Sequence, residues 1–282
     1  MFLDQYKIQD CECTDPYDHA VYVDPNLYPE FQGKFVEFKE KLKSDIKSDQ
    51  PKVYLRLFDG EFFFLKGEAV GNVCTRHTSV HPSQMDLSPF YEGVDKSDYI
   101  LTQLYPDQLK IYSHLFPNRP FDFPMEYIYG IVANREVFTY GKKIGLICGE
   151  GKARVIEELM KKDEYKNYLG LSNFESIITV PELHACDNVD ETEKKISTQF
   201  NDDVDLYLFG IGISKLALAH RFKKYSNATF LDIGCGVSAL AGMTSTNRPY
   251  FGKWTNYRLK DFDYSGVDPM DSADSTTSIK EL

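Results

Sequence analysis

The sequence predicts an α/β fold with one mostly parallel sheet and helices on both of its faces. Short apolar runs alternate with amphipathic stretches of helical length, and this alternation is typical of parallel sheets. Three of the apolar runs end in a glycine turn, which places the turns at one edge of the sheet, where such folds bind ligands. A chain of 282 residues with 42% hydrophobic residues can bury a substantial core.

The first half of the chain contains one helix and one strand with clear patterns. Residues 31–48 have the periodicity of an amphipathic helix, which Pro51 separates from the next element. Residues 53–58 form an apolar run of ordinary strand length. Further along, the patterns of residues 97–115 and 126–139 predict two more helices, with several prolines between them.

The second half alternates strands and helices regularly. The predicted strands are 143–148, 176–180, 205–209 and 228–233. The predicted helices are 152–162, 190–200 and 214–224. This order predicts one domain over residues 31–266, preceded by an N-terminal arm at 1–30 and followed by a flexible, polar tail at 267–282.

The composition argues against several classes of protein. With a formal charge of -11, a nucleic-acid backbone is not expected as the main partner, because neutralising phosphates requires a basic surface. No apolar run reaches the ~20 residues of a membrane span, and the N-terminus lacks the pattern of a signal peptide. The six cysteines include no CxxC pair, so we expect reduced thiols. Together these features predict a cytoplasmic protein.

Two carboxylates flank a glycine directly after the first predicted strand. Asp59 and Glu61 would lie at the carboxyl end of that strand, on the ligand-binding edge of the sheet. Their oxygens suit Mg²⁺ or Mn²⁺, ions that commonly share their coordination with substrate phosphates. The structural alternative is that Asp59 caps a following helix while Arg56 neutralises Glu61.

The glycine turns indicate a phosphorylated ligand. Backbone N–H groups in such a turn can approach phosphate oxygens, and the positive end of the following helix favours an anion. Neither GEGKAR at 149–154 nor GIGISK at 210–215 completes the GxGxxG dinucleotide fingerprint. Lys152 and Arg154 follow the first turn and could pair with a diphosphate, or they could be solvated residues in the first turn of a helix.

The last predicted strand offers an alternative function. It ends in LDIGCG at 231–236, which is similar to the first motif of S-adenosylmethionine-dependent methyltransferases. In those enzymes the motif opens the sheet, whereas here it stands near the C-terminus. The glycine expected two places after Gly236 is Ser238. A methyltransferase is therefore the alternative to the function considered next.

An ordered series of motifs over residues 50–240 resembles the glycosyltransferases of the GT-D type, enzymes with a Rossmann-like sheet and a DxE motif. The similar segments, in chain order, are RLFDGE at 56–61, EGKAR at 150–154, the looser PELHAC at 181–186, the strand, glycine turn and helix at 208–218, and DIG at 232–234. Their order and spacing are more specific than any single motif. The chain departs from many family members at Cys235 and Gly236, where those proteins have His and an acidic residue.

The resemblance implies a GT-D-like domain that transfers a sugar from a nucleotide-diphosphate donor, with a UDP-sugar favoured. The acceptor would be a hydroxyl of a glycan or glycoprotein, and Mn²⁺ or Mg²⁺ would assist. The ion would bind Asp59 and Glu61, directly or through water. Residues that bind the donor or leave room for it would be Arg56, Gly149, Glu150, Lys152, Arg154, Gly210 and Gly212.

The acceptor hydroxyl needs a base if transfer inverts the anomeric centre. Asp232, at a strand end facing the same cleft, is the candidate, with Glu150 and His184 as alternatives. A helix or loop cap is the structural alternative for Asp232. The segment 247–258 combines the only Trp with Tyr and Arg side chains, so it is expected either to stack on acceptor sugars or to anchor the C-terminal region to the core.

Overall fold

A seven-stranded, fully parallel sheet forms the centre of the molecule in a computed structural model that describes residues 29–69, 76–243, 257–260, 262–267 and 280–281. Its strands are β1 Val53–Leu57, β2 Tyr99–Thr102, β3 Phe123–Pro124, β4 Ile144–Gly149, β5 Ser176–Val180, β6 Leu206–Gly210 and β7 Thr229–Asp232. Their spatial order is β3-β2-β1-β7-β6-β4-β5. A separate parallel pair joins β8, Tyr257–Arg258, to β9, Lys280–Glu281. The predicted α/β class with a parallel sheet is confirmed.

The helices lie between the strands along the chain. In the described ranges they are α1 Phe31–Ile46, α2 Asp59–Leu65, α3 Ser88–Lys96, α4 Pro106–Leu115, α5 Glu126–Ala133, α6 Glu150–Leu159, α7 Asp163–Leu169, α8 Val189–Ser197, α9 Lys215–Leu218 and α10 Gly236–Leu240. Short 3₁₀ helices occupy Pro82–Gln84, Glu136–Thr139, Gly212–Ser214 and Ala219–Lys224. None of the helices described here is both long enough and apolar enough to cross a membrane.

Two hydrophobic clusters show that helices cover both faces of the sheet. Successive strand residues alternate between the clusters: Leu206 and Leu208 of β6 join one, and Tyr207 and Phe209 join the other. Helices α1, α5, α6, α7 and α10 pack on the first face, and α2, α3, α4, α8 and α9 pack on the second. All five residues of β1 are buried, as expected for a parallel strand covered on both sides.

The predicted helix over residues 97–115 is wrong in its first part. Tyr99–Thr102 forms strand β2, which pairs with β1, and the helix begins only at Pro106. Pro favours the first turn of a helix, where its missing N–H costs nothing. The four residues YILT are a short apolar run, and such a run does not distinguish a strand from a buried helix by its periodicity.

The five predicted strands agree with the observed ones to within one residue at either end. The predicted helix at 126–139 ends early, because Arg135 has a φ of 60° and separates α5 from a 3₁₀ turn. The predicted helix at 214–224 is a short α-helix that continues as a 3₁₀ helix. The predicted arm at 1–30 and tail at 267–282 lie almost entirely outside the described residues.

The strand order brings the carboxyl ends of β1, β7, β6 and β4 side by side. From β1 the chain moves outward through β2 to β3, and then it crosses to build the other half of the sheet, which returns to the centre with β7. A crevice forms above the strand ends where the order reverses, and such crevices are where open α/β sheets bind ligands. The topology therefore agrees with the predicted position of the site.

A buried carboxyl connects the end of β2 to α5. Glu126, the first residue of α5, is 1% exposed, and its Oε1 accepts a hydrogen bond of 2.9 Å from the backbone N–H of Leu104. Burial raises the pKa of Glu126 to about 8, although the backbone hydrogen bond opposes the shift. The folded protein therefore keeps a proton on this carboxyl over a pH range in which the unfolded chain has lost it.

We expect part of the free energy of unfolding to be lost as the pH rises from about 5 to about 8, because the pKa of Glu126 is raised in the folded state. Glu126→Gln keeps the acceptor for Leu104 and cannot ionise, so it should flatten this part of the profile. Urea denaturation at a series of pH values measures the difference. Glu157→Gln, at an exposed position of α6, should keep the wild-type slope. The same slope in both variants would contradict the assignment.

Candidate functional site

A pocket opens at the carboxyl edge of the sheet, in the crevice described above. Its lining comes from the ends of β1, β4, β5, β6 and β7, together with α2, the starts of α6, α9 and α10, and residues 76–77. Four of the lining side chains are cationic and three are carboxylates. The cations are Arg56, Arg76, Lys152 and Lys215, and the carboxylates are Glu61, Glu182 and Asp232. This concentration of charge makes the pocket the candidate functional site.

An ammonium group bridges two of these carboxylates. Lys215 Nζ lies 2.7 Å from Glu61 Oε1 and 2.7 Å from Asp232 Oδ2. The lysine side chain is 3% exposed and that of Asp232 is fully buried. Charges buried this deeply are tolerated only when they are paired and hydrogen-bonded. The bridge therefore links α2 to the end of β7 through α9.

Both oxygens of Asp232 have further donors. Oδ2 accepts a hydrogen bond of 3.2 Å from the backbone N–H of Arg56, and Oδ1 accepts one of 2.9 Å from that of Gly234. The Nε atom of Arg56 lies 3.5 Å from Oδ1. Arg56 Nη1 in turn donates to the hydroxyl of Tyr129 at 3.0 Å. The carboxylate is therefore held from both sides, as a buried anion requires.

The DGE motif adopts a helical conformation. α2 begins at Asp59, and Glu61 Oε2 accepts a hydrogen bond of 3.1 Å from the backbone N–H of Phe58, which satisfies a donor at the start of the helix. Asp59 is exposed, accepts from the N–H of Gly60 at 2.7 Å, and does not line the pocket. The structural alternative for this motif was a helix cap by Asp59 and a pairing of Glu61 with Arg56. In the structure a carboxylate of the motif does satisfy the helix start, but it is Glu61, and the cation bound to Glu61 is Lys215.

As arranged here, Asp59 and Glu61 do not offer a shared site for a divalent ion. Each oxygen of Glu61 already accepts a hydrogen bond, one from Lys215 and one from the N–H of Phe58, while Asp59 lies outside the pocket. Within the described ranges, no three His, Cys, Asp or Glu side chains are grouped so as to hold a metal ion. The donor set therefore does not fit the predicted ion. Metal dependence stays a prediction from the resemblance.

A second charged group closes another side of the pocket. Arg76 Nη2 lies 2.9 Å from Glu182 Oε1, and Lys152 Nζ lies 3.8 Å from the same oxygen. Glu182 follows β5, and Lys152 lies buried in the first turn of α6. The backbone N–H groups of His184 and Cys186 donate hydrogen bonds to the carbonyl oxygens of Arg76 and His77, and these bonds attach residues 76–77 to the loop after β5.

The glycines at the strand ends accommodate the protein's own side chains. A Cβ atom added at Gly149 would lie 1.5 Å from Glu182 Oε2, and one at Gly212 would lie 2.0 Å from the ring of His77. The resemblance implies that these glycines leave room for a nucleotide. In the structure, the space beside them is filled by a carboxylate and an imidazole that themselves line the pocket.

The glycine turn of the LDIGCG motif is filled in the same way. Gly234 has a φ of 48°, and a Cβ atom there would lie 1.5 Å from Arg56 Nη2. A Cβ atom at Gly210 would lie 2.4 Å from the carbonyl oxygen of Gly234, so the two turns pack directly on each other. The guanidinium of Arg56 thus occupies the space beside the turn that a cofactor would otherwise approach.

The structure brings together most of the predicted site residues. Those that line the pocket are Arg56, Glu61, Gly149, Lys152, Gly210, Gly212 and Asp232. Those that do not line it are Asp59, Glu150, Arg154 and His184, all of which are exposed. The predicted acceptor platform at 247–258 lies outside the described residues except for its last two.

Sequence reasoning missed four residues of the site. They are Arg76, Tyr129, Glu182 and Lys215. Lys215 could have been found, because it ends the GIGISK turn directly after a buried strand. Glu182 lies in the loosely matching PELHAC segment but was not singled out there, and Arg76, 106 residues away from it, belongs to no recognisable motif.

Comparison with known proteins gives no indication of function. No family model matches the chain, and no curated protein or solved structure is significantly similar to it. The resemblance to GT-D glycosyltransferases therefore rests on the motifs alone. What the site can do must be judged from the charges, distances and burial of its side chains.

We expect Gly234→Ala to destabilise the protein by roughly 2 to 4 kcal/mol, because it combines a left-handed backbone with an overlap onto Arg56. Gly170→Ala is the matched control: its φ is 69°, but nothing lies within 4 Å of the added Cβ atom. That variant should lose only the ~1 kcal/mol typical of the left-handed conformation. Urea denaturation of the three proteins measures both values. Equal losses would show that Arg56 does not fill the turn.

Proposed function

We propose that this protein is a glycosyltransferase that uses a nucleotide-diphosphate sugar as donor, with a UDP-sugar favoured, and a hydroxyl of a glycan or glycoprotein as acceptor. One observation carries the proposal: four cationic side chains line one pocket at the carboxyl edge of the sheet. That edge is where α/β sheets bind ligands, and guanidinium and ammonium groups suit a diphosphate. The ordered motifs that resemble GT-D enzymes support the same assignment.

The charge of the pocket suits the chemistry of glycosyl transfer. When the bond between the anomeric carbon and the diphosphate breaks, its electron pair stays with the leaving group, which gains negative charge. Fixed cations in a site of low water content stabilise that charge without reorganising. Arg56, Lys152 and Lys215 are all buried and are held by carboxylates, so they are in place before the donor binds.

Asp232 suits a positioning role better than the predicted role of general base. A base must reach the proton of the acceptor hydroxyl within hydrogen-bond distance. Both oxygens of Asp232 already accept hydrogen bonds from protein donors, and the side chain is fully buried. In this proposal Asp232 fixes Arg56 and Lys215, and these two cations face the donor.

The methyltransferase alternative gains no support from the same pocket. S-adenosylmethionine carries a sulfonium cation, which a lining with four cationic side chains would repel. The guanidinium of Arg56 also fills the space beside Gly234, at the turn that suggested this function. We therefore keep S-adenosylmethionine as the competing ligand in the experiment rather than as a second proposal.

Isothermal titration with UDP, GDP, UMP and S-adenosylmethionine tests the ligand class. We expect a nucleoside diphosphate to bind more tightly than UMP, because the second phosphate contacts the cationic lining. Binding of S-adenosylmethionine alone would refute the proposal. Release of UDP or GDP from a nucleotide sugar then separates an enzyme from a binding protein, since a binding protein would hold the donor without turnover.

Two neighbouring cations of α6 should behave differently towards UDP. Lys152 lines the pocket, whereas Arg154 is exposed and lies outside it. Lys152→Met should raise the Kd for UDP by roughly 10-fold, the cost of losing one charge-assisted hydrogen bond. Arg154→Met should leave the Kd close to that of the wild type. Titration calorimetry measures both, and a larger effect of the Arg154 variant would place the diphosphate elsewhere.

A further inference from the structure

Lys215 lies where an ion shared by two carboxylates would lie. Its Nζ atom is equidistant, at 2.7 Å, from one oxygen of Glu61 and one of Asp232. Glu61 belongs to the DGE motif after β1, and Asp232 ends β7. The two acidic motifs that the sequence places at this edge therefore converge on an ammonium group.

The fold fixes this ammonium in place. Lys215 is the first residue of α9, whose next three residues pack in the core of the second face. Its side chain is 3% exposed yet lines the pocket. An ammonium group has three N–H donors, and in the described structure the two carboxylates accept two of them. The third donor is left for an anion in the pocket.

A divalent ion would have to displace Lys215 to reach both carboxylates. The remaining oxygen of Glu61 accepts from Phe58 N–H, and that of Asp232 accepts from Gly234 N–H. An ion bound beside the ammonium would meet another positive charge at short range among buried side chains, where repulsion is strong. The two cations are thus alternatives for one position.

We propose that Lys215 supplies the positive charge that a divalent ion would otherwise bring, so that donor binding and turnover in this protein need no metal. The proposal rests on the proposed glycosyltransferase function. In the reaction, the bond between the anomeric carbon and the diphosphate oxygen breaks with its electron pair on that oxygen. The acceptor oxygen bonds to the anomeric carbon and gives its proton to Glu182, the lining carboxylate that lies outside the bridge formed by Lys215. Lys215 acts through its charge and forms no bond to the donor or the acceptor.

The wild-type protein gives the first test. UDP binding is measured by calorimetry in EDTA and in Mn²⁺, and Mn²⁺ binding to the protein alone is measured by electron paramagnetic resonance. We expect the same Kd for UDP under both conditions, within about twofold, and no tight Mn²⁺ site. UDP binding that appears only with Mn²⁺ would overturn the inference and leave the transferase proposal standing. If UDP binds under neither condition the proposed function fails, and the metal titrations still decide the role of Lys215.

Two substitutions of Lys215 give a sharper test. Lys215→Ala leaves room for an ion between the carboxylates, whereas Lys215→Met removes the charge but fills most of that room. We expect both to lower donor turnover about 100-fold. Mn²⁺ should restore turnover in the Ala variant only, and at about 100 times its Kd it should raise the Tm of that variant by roughly 5 to 10 °C.

A matched lysine controls for general effects of charge removal. Lys223 forms a 2.9 Å ion pair with Asp98 away from the pocket, so Lys223→Ala should keep wild-type turnover and gain no Mn²⁺ site. Mn²⁺ that rescues neither Lys215 variant, or both equally, would overturn the inference. If neither Lys215 variant folds, the wild-type titrations in EDTA and Mn²⁺ decide it.

Discussion

One buried series of ion pairs organises the site, and it runs through Arg56, Asp232, Lys215 and Glu61. Burial makes each charge costly unless it is paired, and loss of one member would leave its neighbour uncompensated, at a cost of about 3 to 5 kcal/mol. The four residues come from β1, β7, α9 and α2, which meet at the carboxyl edge of the sheet. These ion pairs therefore connect the two halves of the sheet at the point where the pocket opens. Gly234 leaves room for the guanidinium of Arg56, and its N–H donates to Asp232, so both features help to fit these ion pairs into the packed edge of the sheet.

Much of the fold was predictable because a parallel sheet imposes a simple pattern. Strands such as β4 and β6 are buried on both faces, so they read as short apolar runs with a turn after each. The failure at β2 has the same origin. Its four residues, Tyr99–Thr102, are too few to show any period, and the helical pattern of the residues that follow them was extended across them. Only the pairing with β1, a contact between distant parts of the chain, decides their conformation.

The site was predictable where it depends on strand ends and not where it depends on contacts between loops. Arg56 and Asp232 lie at the ends of recognisable strands, so the sequence placed them at the same edge. The pair of Arg76 and Glu182 forms only because the chain folds two distant segments over the pocket, and no local pattern reports that contact. The glycine pattern is ambiguous for a different reason. The pattern indicates that space is needed beside the backbone, but it does not indicate whether a ligand or a side chain such as that of His77 takes the space.

The same ambiguity applies to the acidic motifs, and it explains why a lysine can stand where the sequence predicts a metal. Two carboxylates that converge at a sheet edge need a cation between them, whatever its source. A lysine is bound covalently and is always present, but it brings one charge where Mg²⁺ or Mn²⁺ brings two. The deficit is offset by the other cations of the pocket, Arg56, Arg76 and Lys152, which leave the lining with an excess of positive charge over its three carboxylates. A diphosphate is the kind of ligand that would use this excess, since it presents several anionic oxygens and gains charge as the sugar departs. The position of one ammonium group thus connects the buried ion pairs to the ligand that we propose.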